Sequence, residues 1–76
     1  MMVLIEGTTN GDAILNINDL MIEIYMDEDI DKFNINYRLN TSKGETTIYF
    51  QFTDKKTRDT EFNKIKELLM NKKEEL

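Results

Sequence analysis

The sequence predicts an α+β fold: a curved antiparallel sheet of four to five strands followed by one C-terminal amphipathic helix packed on the sheet. Three observations carry this expectation. Apolar residues alternate with period two between about positions 33 and 53, the period changes to about 3.6 near position 54, and glycine and asparagine punctuate the chain where hairpin turns would fall. With 76 residues, no proline, no low-complexity linker and no internal repeat, the chain reads as a single domain, 1–76.

Met2 to Glu6 is a short apolar run, and Gly7-Thr8-Thr9-Asn10-Gly11 follows it. The Asn-Gly pair supplies positive φ cheaply, so a hairpin is expected with Asp12 to Ile17 as its return strand. Leu20, Ile22, Ile24 and Met26 then alternate with Met21, Glu23 and Tyr25, which favours a strand with those two sets on opposite faces. A short helix capped by Asn16 or Asn18 fits the same stretch nearly as well, because Ile17, Leu20, Met21, Ile24 and Tyr25 also recur at helical spacing. β-branched Ile22 and Ile24 lose rotamer freedom in a helix, which tips the balance to strand.

Phe33, Ile35, Tyr37 and Leu39 alternate with Asn34, Asn36, Arg38 and Asn40. Thr41-Ser42-Lys43-Gly44 is the expected turn, and Ile48, Phe50 and Phe52 return with Thr47, Tyr49, Gln51 and Thr53 on the other face. This is an antiparallel hairpin with one buried and one solvated face. Beyond it, Phe62, Ile65, Leu68 and Leu69 form a single helical stripe, with Asp54 placed to cap the first turn. Such a stripe must be buried, and the apolar side of the hairpin is the available surface.

Charge is distributed unevenly. The first 31 residues hold eight carboxylates and no lysine or arginine, a net of about −8; the remaining 45 hold seven carboxylates and ten basic residues, and the whole chain carries −5. The densest run, Glu23 to Asp31, falls at a connection between strands. Lys55, Lys56 and Arg58 crowd the start of the helix while Glu74 and Glu75 stand near its end, an arrangement that opposes the helix macrodipole. The helix cations are therefore candidates to neutralise the acidic block, within one molecule or between two copies; the second route implies a homodimer.

The chemistry on offer is narrow. Without histidine or cysteine, catalytic roles would fall to carboxylates, lysines, tyrosines, threonines and the single Ser42, a turn residue beside Lys43, so no enzyme and no catalytic residue is expected. Asp27, Asp29 and Asp31 match the first three ligand positions of an EF-hand loop, but Lys32 stands where that loop needs glycine and Arg38 where it needs a bidentate glutamate, so no metal is assigned. No glycine-rich loop opens a helix, and no cofactor is expected. Tyr49, Arg38 and Lys43 suggest a stacking face for single-stranded nucleic acid, yet the net charge of −5 repels phosphate. No apolar run is long enough to span a membrane, and the cysteine-free composition fits a reducing, cytoplasmic setting.

The expectation is a small non-catalytic binding protein, an acidic inhibitor or adaptor that docks on a basic partner surface. Short, acidic, cysteine-poor proteins without catalytic residues are common among phage and mobile-element inhibitors of host defence. Isoleucine, asparagine and lysine, with A/T-rich codons, make up about a third of the chain, which fits such a source. The candidate partner-binding residues are Glu23, Tyr25, Asp27, Glu28, Asp29 and Asp31. A homo-oligomeric structural or regulatory module is the alternative, and a single-strand nucleic-acid binder the second.

Overall fold

The computed structural model describes residues 1–74, with side chains described through Asn71. Five antiparallel strands form two sheets: β1 (Met2–Thr8) pairs with β2 (Gly11–Asn16), and β3 (Met21–Asp29), β4 (Lys32–Thr41) and β5 (Gly44–Phe52) form a meander in that order. One helix, α1 (Lys55–Glu74), follows, and Glu75 lies outside the described residues.

The first hairpin turns where its sequence asks it to. Thr8 opposes Gly11 across Thr9-Asn10, and Gly11 adopts a φ of 95°, the left-handed region that glycine enters without steric cost. The expected single sheet is instead split in two. The register of β1 slips between Ile5 and Thr8, where Gly7 sits at φ 82°. Such an irregularity bends a strand away from its neighbour's line. Among the described residues the turn after β1 then reaches β5 by a single main-chain bond, the Thr9 N–H to the Gln51 carbonyl at 2.8 Å.

Residues 21–29 form a strand, not a helix, but with a phase the apolar alternation does not reveal. Met21 opposes Leu39 while Glu23 opposes Arg38, so one extra residue is inserted at Ile22. Met21 therefore joins Ile24 against the core, on the side opposite Glu23 and Tyr25, and Leu20 lies exposed before the strand. This corrects the expected grouping of Met21 with Glu23 and Tyr25. Because Met21 and Ile22 are both apolar, the residue that carries the bulge cannot be told from a regular one by hydropathy alone.

The second hairpin follows its pattern. Phe33, Ile35, Tyr37 and Leu39 oppose Phe52, Phe50, Ile48 and Thr46 in register, and the turn is Ser42-Lys43. Val3, Ile5 and Leu15 from the first sheet, with Ile17 just after it, join Ile35, Tyr37 and Phe52 from the second and Ile65 of the helix in one buried cluster. Burying each such side chain contributes about 1.5–3 kcal/mol, so this shared cluster is the main reason the two sheets stay together. Asp54 caps α1, accepting from the Thr57 amide at 2.9 Å and the Thr57 hydroxyl at 2.7 Å.

The helix packs on β4, β5 and β1. Ile65 is fully covered, Phe62 and Leu69 flank it, and Leu68 sits at the exposed margin. The buried stripe continues toward the N-terminus through two charged residues, Arg58 at 3% exposure and Glu61 at 6%. No helix among the described residues is long and apolar enough to cross a membrane.

Candidate binding surface

The candidate residues lie along the hairpin of β3 and β4. Glu23, Tyr25, Asp27 and Asp29 occupy alternate positions of β3 beyond its bulge and so share one face, the side of the meander away from the helix. Glu28 belongs to the opposite side, paired with Phe33, and Asp31 sits in the turn at φ 59°. Aspartate tolerates that conformation better than most residues because its short polar side chain bonds locally. The fold thus gathers four of the six on one face and places the other two around the hairpin end.

Each of the four has a different environment, Asp29 turning its Oδ1 back to accept from the Ile30 amide at 2.7 Å. Glu23 opposes Arg38 and pairs with it at 3.3 Å; Arg38 also lies 3.9 Å from Glu45, close enough for attraction and too far for a hydrogen bond. Asp27 opposes Asn34, whose side-chain amide donates to Asp27 Oδ1 at 2.8 Å, while the amide of Asn36, two residues along β4, donates to Oδ2 at 2.9 Å. Both oxygens are thereby fixed without any cation. Asn36 is only 6% exposed although it stands on the polar side of the sheet, in register between Tyr25 and Tyr49. Tyr25 is 38% exposed and Tyr49 67%, so two aromatic rings rise from this face on either side of a covered amide.

The helix cations do not neutralise this acidic hairpin. Arg58 reaches it, but by its Nη1 donating to the main-chain carbonyl of Asp27 at 2.8 Å, while its Nε bonds Asp59 at 2.8 Å and its guanidinium lies 5.5 Å from the centre of the Phe33 ring. Lys55 and Lys56 stay exposed. Among the described residues, the carboxylates of Asp27, Glu28, Asp29 and Asp31 enter no ion pair. No cation is salt-bridged to them there, and Lys32 is the nearest cation in sequence.

Sequence reasoning missed Asn34 and Asn36, read only as a solvated outer face. The signal was available: counting back from the Asp29–Lys32 pair at the turn puts Asp27 opposite Asn34. It also missed the part Glu61 plays, where Oε1 accepts from the Glu6 amide at 2.6 Å and from Lys64 at 2.8 Å. No protein-family model, curated protein or solved structure matches this chain.

Proposed function

We propose that the protein is a small non-catalytic binding module, an inhibitor or adaptor that docks on a basic surface of another protein through the β3–β4 hairpin. The supporting observation is the absence of any ion pair to Asp27, Glu28, Asp29 and Asp31 among the described residues, although the chain carries ten cations. Charges left uncompensated on one projecting hairpin steer association with a surface of opposite sign. Tyr25 beside them supplies the aromatic anchor that such interfaces favour.

The test is a pull-down from native host lysate at low and moderate salt, comparing wild type with the triple variant Glu28→Gln, Asp29→Asn, Asp31→Asn. Asp27 is kept because its carboxylate also holds two amides. A basic protein captured by wild type, released by salt and lost with the triple variant supports the reading; capture unaffected by the three substitutions overturns it. The anti-defence version adds a demand, that the partner's basic surface normally receives nucleic acid, so that added DNA or RNA competes for it.

A second reading rests on a different observation. Leu4 and Ile14 oppose each other on the outer face of the first hairpin, next to Met2, and all three are exposed. Self-association through this face would make the module a homo-oligomer, with a solution mass that rises with concentration and is insensitive to salt.

A further inference from the structure

We infer that the partner contributes an extended segment, basic and apolar at alternate positions, which adds to β3 as a fourth strand of the meander. This inference rests on the docking reading above and specifies its geometry. The last strand of a sheet offers unpaired main-chain groups to any extended chain of suitable side chains. β3 is such a strand: it pairs with β4 on one side, and among the described residues no strand lies on its other.

The two sides of β3 differ in a way that dictates the segment's pattern. On the side toward the helix, α1 leans over β4, β5 and β1, and a groove of about 400 Å³ runs between Ile24 of β3 and Phe62, Leu69 and Met70 of α1, with Lys66 at its rim. Apolar side chains of an added strand would drop into it. On the other side Glu23, already paired with Arg38, Tyr25 and Asp27 stand at alternate positions, so basic residues two apart in the incoming segment would meet the Tyr25 ring and the Asp27 carboxylate. A second copy of β3 is disfavoured by the same arrangement, since it would set carboxylates against carboxylates.

Two features fix where the added strand lies. The bulge at Ile22 interrupts the ladder at one end, and Asn40, whose N–H turns toward β3 to reach the Leu20 carbonyl, sets the alternation that leaves the main-chain groups of Ile24 and Met26 facing the open edge. The open stretch is therefore Glu23 to Met26, directly beside the groove.

The experiment uses the full chain and a ten-residue peptide alternating arginine and valine, with a second peptide N-methylated at every residue. The second keeps every side chain and charge but has no amide to donate. Binding is read by calorimetry, and amide hydrogen exchange is followed by NMR. Strand addition predicts slowed exchange at alternate amides between Glu23 and Met26, and at least tenfold weaker binding of the methylated peptide. Equal binding of the two peptides, or no binding of the first, overturns it. If both bind equally and both are lost with Glu28→Gln, Asp29→Asn, Asp31→Asn, the acidic docking reading stands and strand addition alone falls.

Discussion

Arg58 donates from Nη1 to the main-chain carbonyl of Asp27, 31 residues earlier, at 2.8 Å. The contact joins the basic start of the helix to the acidic strand through the backbone, so the two charge blocks meet without the hairpin losing its charge. Arg58 is also buried against Phe33, so its contribution combines a charge-assisted hydrogen bond with packing of the guanidinium on an aromatic ring. Replacing it with methionine, which keeps bulk but removes the donor, should destabilise the fold by about 2–4 kcal/mol. Arg58→Lys should recover only part of this, because an ammonium lacks the planar fork. Urea unfolding midpoints test both, and a methionine variant as stable as wild type would refute the assignment.

Asp27 holds two amides at once. Asp27→Ala leaves the Asn34 and Asn36 donors without their acceptor, and Asn36 is buried, so a loss of about 1–3 kcal/mol is expected. Combining it with Asn36→Ala should cost less than the sum of the two single variants, since they share one interaction. Strict additivity in thermal melts would show that the pair is not coupled.

At Gly7 two costs would fall together on any larger residue. Its φ of 82° disfavours a side chain, and an added Cβ would stand 2.9 Å from Thr57 Cγ2. Gly7→Ala should cost about 1–3 kcal/mol. Trimming the obstacle with Thr57→Ser keeps the hydroxyl that bonds Asp54 and relieves the clash but not the backbone strain, so the double variant should recover only part of the loss.

Hydrogen bonds from the Thr57 hydroxyl and then from its amide hold the Asp54 carboxyl below its usual 3.8. The folded chain therefore binds a proton there less readily than the unfolded chain, and the sign follows: the stabilisation is complete above pH 3.8 and disappears as pH falls through the lower folded value. Asp54→Asn keeps a capping oxygen without a titrating group. The difference in Tm between wild type and this variant should be flat near neutral pH and shrink below pH 3.8; a difference that grows on acidification would contradict the assignment.

Ile65 and Leu68 belong to the same apolar stripe in sequence but not in space. Ile65 is fully buried and Leu68 lies exposed at the margin, so Ile65→Ala should cost about 2–5 kcal/mol and Leu68→Ala under about 1 kcal/mol. For 76 residues the whole stability is about 4–11 kcal/mol, so the first variant will stand close to unfolding at physiological temperature.

Much of this architecture was legible because hydropathy and turn chemistry report it directly. The β4–β5 hairpin, its turn, the helix stripe and the Asp54 cap all follow from residue types at fixed spacing. What stayed hidden depends on groups that have no sequence identity. Arg58 and Glu61 look like solvated helix charges, yet each is buried against a main-chain atom, the Asp27 carbonyl and the Glu6 amide. The bulge at Ile22 was masked by two adjacent apolar residues, and neither the register slip between Ile5 and Thr8 nor the split into two sheets has a signature in hydropathy. Of the candidate surface, the shared face of Glu23 and Tyr25 was readable, whereas Asp27 to Asp29, read as a connection between strands, continue β3, and the isolation of the charges required knowing where every cation goes.

Arg58 and Glu61 stand one helical turn apart and bond to different sheets, the first to β3 and the second to β1. Both hairpins precede that turn in the chain, so during vectorial synthesis they emerge before the two helix bonds that tie each of them to a common element. The nascent chain therefore carries two sheets, one with an apolar outer face, whose shared core still lacks Ile65 until the helix that follows them emerges.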